Sequence, residues 1–166
     1  INGKPSDKIT MDALYPRYAK FIQSGDNIVL ESGSSSFGIP PLTLSDDVQV
    51  QIQMLWGSIG WATGAAFGIA LANPKRKTIL LTGEGSHQLT ANEIGNMGRF
   101  GANPIIFVLN NDGYLVERAL ELNPDWSYND LSKWRYADLP RTLGCADWVA
   151  ARVETVGELD AAMKAA

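Results

Sequence analysis

The sequence predicts an α/β fold, a doubly wound parallel sheet with helices on both faces, in a single domain that covers residues 1–166. Strand patterns and helix patterns alternate along the whole chain, which is typical of a parallel sheet with crossover helices. The apolar run Ile105–Leu109 is expected for a central strand that is buried on both faces. Hydrophobic residues make up 45% and charged residues 19%, the balance of an ordinary globular domain.

The individual elements follow from apolar spacing and from residues that start or stop helices. Thr10 is a candidate N-cap for a first helix, which Gly25 and Asp26 end. Later helices are predicted from Gly60 to Ala72, at 90–100, over the short stretch 139–143 and at 156–166. The predicted strands are 27–31, part of 48–54, 77–82, 105–109 and 151–153.

Three glycines, Gly60, Gly64 and Gly68, recur every four residues in the second predicted helix. On a helix they form one stripe without side chains. Because each glycine costs up to about 1 kcal/mol in a helix, the stripe predicts close approach of another group. That group is either another backbone or a cofactor at the helix start, with tight helix–sheet packing as the alternative for Gly64 and Gly68.

Composition excludes several classes of function. The formal net charge is −4, from 14 basic and 18 acidic residues, and no basic cluster indicates nucleic-acid binding. No apolar run reaches the roughly 18 residues that a membrane span requires. A single cysteine, Cys145, and the lack of a signal-peptide pattern favour a cytoplasmic location. The chain opens without Met, either because it is trimmed or, as we expect, because a larger enzyme lies upstream.

The three most unusual segments are residues 32–38, 83–86 and 110–113, and each follows a predicted strand. Since ligands of such sheets bind at the carboxyl ends of the strands, these segments should gather at one edge. In the second segment, glycines on both sides of Glu84 allow a tight turn and bring backbone amides near an anion such as a phosphate. Glu84 would repel that phosphate unless a divalent cation such as Mg²⁺ lay between them. The alternative is an ordinary Gly-X-Gly turn.

The third segment supplies neutral oxygen ligands. Asn110 and Asn111 follow the next strand, and 24 residues separate Gly85 from Asn110, enough for one helix and one strand. An amide oxygen, a backbone carbonyl, the Glu84 carboxylate and phosphate oxygens would nearly fill an octahedron around a metal ion. The alternative for this segment is a simple turn.

Together these two motifs resemble the signature of thiamine-diphosphate enzymes. Further stretches look like the pyruvate and indolepyruvate decarboxylase branch of the 2-oxo acid decarboxylases, namely residues 55–60, 86–90, 108–114, 128–130 and Trp134. The resemblance covers essentially the whole chain as the C-terminal, diphosphate-binding domain. It implies that the pyrimidine-binding and middle domains lie outside the chain.

The resemblance also implies roles for individual residues. Glu84, Asn111 and Gly113 would hold Mg²⁺. Glu117 would lie over the thiazolium and assist decarboxylation and protonation, whereas without the family it reads as a solvated helix residue. Ile59 would force the cofactor into a bent shape. The cofactor-binding set is Ser32, Ser34, Gly57, Ser58, Ile59, Gly83, Gly85, Ser86, Asn111, Gly113 and Tyr114.

Two departures from the family pattern stand out. Glu84 replaces an Asp and is longer by one methylene. The family's activating Glu and histidine pair lie on the pyrimidine-binding domain, and the only histidine here, His87, reads as a local structural residue. The implied partners are therefore a pyrimidine-binding domain, usually from a neighbouring subunit of a homo-oligomer, and a small 2-oxo acid.

Three alternatives remain open from the sequence. The chain could be a stand-alone subunit that pairs with a separate pyrimidine-binding subunit. The same scaffold could carry out carboligation, although Glu117 argues against the acetolactate-synthase branch. A nicotinamide-binding Rossmann domain is disfavoured, because residues 83–88 lack the third glycine of Gly-X-Gly-X-X-Gly.

Overall fold

The computed structural model describes all residues from 1 to 166 and contains one parallel sheet. Its strands are β1 (Asn27–Leu30), β2 (Gln49–Ile52), β3 (Thr78–Gly83) and β4 (Ile105–Leu109), in the spatial order β2-β1-β3-β4. The helices are α1 (Met11–Phe21), α2 (Ser34–Gly38), α3 (Trp61–Ala72), α4 (Glu84–Thr90), α5 (Glu93–Arg99), α6 (Leu115–Leu120), α7 (Leu139–Thr142) and α8 (Val156–Ala165). Short 3₁₀ turns span Ser127–Asn129 and Tyr136–Asp138.

The two faces of the sheet bury different residues, as the alternation of side chains along a strand requires. Ile28 and Leu30 of β1 face a cluster that includes Tyr18 of α1 and Leu159 of α8. Val29 packs on the other face, with Ala66 of α3. Helices therefore cover both faces of a parallel sheet, and the predicted fold class is confirmed.

Several predicted elements differ from the structure. Strand β4 is an edge strand whose residues are half-buried, because it pairs only with β3. Residues 151–153 form no strand, and the nearest pairing is an isolated bridge between Lys8 and Thr155. The helix predicted at 90–100 is the shorter α5, and a separate helix, α4, begins at Glu84, where the sequence predicted a turn. None of the helices is both long and apolar enough to cross a membrane.

The glycine stripe of α3 does not have the predicted role within this chain. Gly64 and Gly68 are exposed, and a Cβ at either position would meet nothing within 4 Å. The face of α3 that packs inward instead consists of Ala62, Thr63, Ala66 and Ala70. Gly60 is different: it is the left-handed N-cap of α3, with φ of 84°.

Candidate active site

The carboxyl ends of β1, β3 and β4 surround a cavity of about 480 Å³. The segments 32–38, 83–86 and 110–113 meet here, at the same edge of the sheet. The cavity wall includes nearly all the residues that the sequence singles out, which are Ser32, Ser34, Gly57, Ile59, Gly83, Glu84, Gly85, Ser86, Asn111, Gly113, Tyr114 and Glu117.

Glu84 is almost completely buried at the base of this cavity, with 2% of its surface exposed. Its Oε1 accepts hydrogen bonds from the backbone N–H groups of Asn111 at 3.0 Å and Gly113 at 2.8 Å. Strand β3 ends at Gly83 and α4 begins at Glu84, so the carboxylate joins the ends of β3 and β4 directly. Both bonds use Oε1, which leaves Oε2 available to another ligand.

The loop from Asn111 to Gly113 has an unusual backbone. Asp112 has φ of 64° and Gly113 has φ of 148°, both in the region that favours glycine. A Cβ on Gly113 would lie 2.6 Å from the carbonyl oxygen of Asn129, so glycine is required for this close approach. The Gly113 carbonyl accepts the N–H of Leu115 at 3.0 Å and keeps a second lone pair.

These residues fit a magnesium ion that is shared with a phosphate ligand. The free Oε2 of Glu84, the side-chain oxygen of Asn111 and the second lone pair of the Gly113 carbonyl are hard oxygen donors. The structure contains no cluster of three or more acidic, histidine or cysteine side chains. Neutral protein oxygens and the ligand's own oxygens would therefore complete the coordination.

Glu117 lies on α6 and reaches the cavity wall from an exposed position. It does not pair with its neighbour Arg118, which donates to Asp130 Oδ1 at 2.6 Å and to the Pro124 carbonyl at 2.6 Å. Arg118 thus fastens α6 to the 124–130 segment and leaves the Glu117 carboxylate free of a cation. An unpaired carboxylate beside a cavity can take part in proton transfer.

Comparison with known proteins decides the family. A family model described as "Thiamine pyrophosphate enzyme, C-terminal TPP binding domain" matches residues 36–166. The chain belongs to this family. The family predicted from the two motifs is thereby confirmed.

The relatives of this thiamine pyrophosphate-binding domain include named decarboxylases. The chain is 42% identical over 160 residues to an alpha-keto-acid decarboxylase of Mycobacterium avium, covering 95% of the chain and 28% of the relative. It is 40% identical over 159 residues to pyruvate decarboxylase isozyme 1 of Saccharomyces cerevisiae, covering 93% and 28%. The chain thus spans little more than a quarter of the length of these relatives.

A solved structure supports the fold. The thiamine diphosphate-dependent 4-hydroxybenzoylformate decarboxylase of Rhodococcus jostii RHA1 superposes with a TM-score of 0.83 at 22% identity. The match covers 99% of the thiamine pyrophosphate-binding domain and 31% of that chain.

The glycines around Glu84 have a different purpose from the predicted tight turn. Gly83 has an extended backbone with φ of −85°, and neither Gly83 nor Gly85 has a positive φ. A Cβ on Gly85 would instead lie 2.4 Å from the ring of Tyr114 and 2.9 Å from Leu131. In this domain Gly85 therefore lets the Tyr114 ring pack against the first turn of α4. The first N–H groups of that helix have no acceptor within the helix.

Ser58, a predicted cofactor-binding residue, lies away from the cavity wall, and so does His87, which was predicted to be a local structural residue. Ser58 is exposed, and its carbonyl accepts the Ser32 hydroxyl at 3.5 Å. His87 is buried behind the cavity, with its ring centre 6.3 Å from that of Tyr136. Burial lowers the pKa of His87 to about 4, so the ring is neutral near pH 7.

Six further residues line the cavity without having been assigned a role from the sequence, although three of them belong to the predicted segment 32–38. They are mostly small or apolar, namely Gly33, Ser36, Phe37, Met54, Leu115 and Val116. Leu115 and Val116 could have been predicted, because they lie between Tyr114 and Glu117, which were both predicted to be site residues. An apolar side chain such as Met54 carries no chemical signature, and only the fold brings it to the cavity.

Proposed function

We propose that this chain is the diphosphate-binding domain of a larger enzyme that decarboxylates a 2-oxo acid of the pyruvate or indolepyruvate type to an aldehyde. Thiamine diphosphate and Mg²⁺ are the proposed cofactors. The observation that carries the proposal is the buried Glu84 carboxylate, which lies under the Asn111–Gly113 loop in the cavity that Glu117 also lines. The names of the relatives support the reaction class.

The diphosphate half of the cofactor is assigned to the β3–β4 side of the cavity. The N–H groups at the start of α4, around Gly85 and Ser86, suit phosphate oxygens. Mg²⁺ would be held by Glu84 Oε2, the Asn111 side chain and the Gly113 carbonyl, and would neutralise the repulsion between carboxylate and phosphate.

The ring half of the cofactor is assigned to the opposite wall. Gly57 and Ile59 lie there, with Ser32 and Ser34 at the end of β1. Thiamine diphosphate, when bound, supplies the nucleophilic carbon and the electron sink for loss of the carboxylate. Glu117, which lines the same cavity, would hold a proton and deliver it to the carbon that has lost CO₂.

The remaining part of the enzyme is proposed to cover the open side of the cavity. A second groove of about 490 Å³ shares Phe37, Leu115 and Val116 with the cavity and continues to Leu120. Phe37, Leu115 and Leu120 are exposed apolar residues, and such continuous patches are typical of interfaces. The proposed partner is the pyrimidine-binding domain of a neighbouring subunit in a homo-oligomer. The buried, unpaired Cys145 is consistent with a reducing compartment such as the cytoplasm.

The proposal is tested on the full-length enzyme with a panel of pyruvate, indolepyruvate and phenylpyruvate. We expect release of CO₂ and the matching aldehyde from at least one of them, and we expect it to require both thiamine diphosphate and Mg²⁺. Failure to decarboxylate any 2-oxo acid, or turnover that persists after both cofactors are removed, would contradict the proposal.

A further inference from the structure

The Gly57 loop, defined here as residues 53–60, presents Gly57 and Ile59 to the cavity without an apolar anchor of its own. Met54, Leu55 and Trp56 are 58%, 85% and 78% exposed. Since core packing does not hold these side chains, the position of the loop depends on polar contacts with the rest of the fold.

Glu31 supplies the central polar contact. Its side chain is 1% exposed at the end of β1 and accepts three backbone N–H groups. Oε2 accepts those of Gly60 at 3.1 Å and Ala62 at 3.3 Å, and Oε1 accepts that of Ser32 at 3.1 Å. Gly60 is the N-cap of α3 and has no side chain, so the Glu31 carboxylate takes the place of the missing cap.

Other bonds fasten the same loop on both sides. The Ser32 hydroxyl donates to the Gln53 carbonyl at 3.1 Å, at the start of the loop. At its end, the Thr90 hydroxyl donates to the Gly60 carbonyl at 2.9 Å. Both polar groups of the Gly60 backbone are therefore held by side chains, one from Glu31 just after β1 and one from Thr90 of α4.

We infer that Glu31 is a positioning residue, which sets the place of Gly57 and Ile59 for the ring half of the cofactor without touching the cofactor itself. Glu31 is not part of the cavity wall. This inference rests on the proposed function. Because the diphosphate half is assigned to the other wall, a looser Gly57 loop weakens recognition of the rings and leaves recognition of the phosphates unchanged.

The test is the variant Glu31→Gln in the full-length enzyme. A glutamine offers one acceptor oxygen, so its NH₂ group must face at least one of the three N–H groups. We expect thiamine diphosphate in the presence of Mg²⁺ to bind at least about tenfold more weakly, the loss typical of one hydrogen bond to a charged group. Magnesium pyrophosphate, measured as a competitor, should bind as it does to the wild type.

Asp26→Asn is the matched control. Asp26 is also a buried carboxylate, but it precedes the opposite end of β1, where it accepts the Gln23 N–H at 2.9 Å and contacts Lys77 Nζ at 3.4 Å. We expect this variant to lose unfolding free energy and to keep the wild-type affinity for both ligands. If Glu31→Gln does not fold, Thr90→Val releases the other side of Gly60 and should weaken thiamine diphosphate alone.

The outcomes separate the inference from the proposed function. A wild-type enzyme that binds neither ligand contradicts the proposed function. A wild type that binds both, with variants that bind thiamine diphosphate equally well, overturns the role of Glu31. An equal loss of affinity for thiamine diphosphate and for pyrophosphate also overturns it, because a residue that only stabilises the fold would give that result.

Discussion

The N–H of Gly113 donates a hydrogen bond of 2.8 Å to Oε1 of Glu84, and this bond joins the loop after β4 to the first residue of α4. The same oxygen accepts the Asn111 N–H at 3.0 Å. Oε2 of Glu84 accepts neither of these bonds and stays free. The two oxygens therefore have separable roles, one in the fold and one in the proposed metal binding.

The variant Glu84→Gln separates these roles. Glutamine keeps an oxygen for the two amides but replaces Oε2 by a neutral NH₂ group. We expect the affinity for thiamine diphosphate with Mg²⁺ to fall by at least about tenfold, with the free energy of unfolding changed by less than about 1 kcal/mol. Calorimetry and urea unfolding of the full-length enzyme measure the two quantities.

Glu84→Ala is the comparison for that experiment. It removes the metal ligand and leaves two buried N–H groups without an acceptor, so we expect weaker cofactor binding together with a loss of about 1–3 kcal/mol of stability. Wild-type cofactor affinity in both variants would remove the metal role assigned to Glu84.

Glu117→Gln tests the proposed proton transfer. The carboxylate has no cation partner and lies on an exposed helix, so its replacement should not disturb the fold. We expect kcat for decarboxylation to fall by about 10²–10⁴-fold while cofactor affinity is unchanged. Glu121→Gln is the control, since Glu121 follows the same helix outside the cavity wall. Equal activity of the two variants would contradict the proton-transfer role and would show that Glu117 is only a solvated helix residue.

Gly85→Ala tests the contact between α4 and Tyr114. The added Cβ would meet the Tyr114 ring and Leu131 well inside van der Waals distance, so both must move. We expect a loss of about 1–3 kcal/mol in unfolding free energy. Gly83→Ala is the matched control in the same motif, because a Cβ there meets nothing within 4 Å, and we expect a change within about 0.5 kcal/mol. A larger loss of unfolding free energy in Gly83→Ala than in Gly85→Ala would contradict the close packing of Tyr114 against Gly85.

The site shows which features a sequence can predict. Glu84 and Asn111 were recognisable because each follows an apolar strand, and parallel strands place their carboxyl ends together. The contact of Gly85 with Tyr114 and the capping of α3 by Glu31 were not predictable, because each joins residues from different elements whose separation only the fold sets. Similarly, the apolar run Ile105–Leu109 indicated burial on both faces but could not indicate the number of neighbouring strands.

His87 should make the stability of the domain depend on pH. Its pKa is lowered from 6.5 to about 4 in the folded state, so the folded state binds its proton less readily than the unfolded state does. The contribution to stability is complete above pH 6.5 and is lost as the pH falls toward 4. Between pH 7 and pH 5 we expect the wild type to lose about 2 kcal/mol more than His87→Gln, measured by urea unfolding. Parallel losses in the two proteins would contradict the neutral, buried state of His87.

The separate chain of residues 1–166 should bind thiamine diphosphate and Mg²⁺ weakly and decarboxylate nothing. It contains the proposed phosphate and metal ligands, but the cavity wall also includes the exposed apolar residues Phe37 and Met54, which we expect the rest of the enzyme to cover. We therefore expect calorimetry to give a dissociation constant at least about tenfold above that of the full-length enzyme. This corresponds to a loss of about 1.4 kcal/mol or more of binding free energy, which we assign to the missing contacts with the cofactor rings. Adding the remaining part of the enzyme as a separate polypeptide should restore both binding and turnover. Aldehyde production by residues 1–166 alone would show that this chain contains a complete active site and would overturn the proposed division between domains.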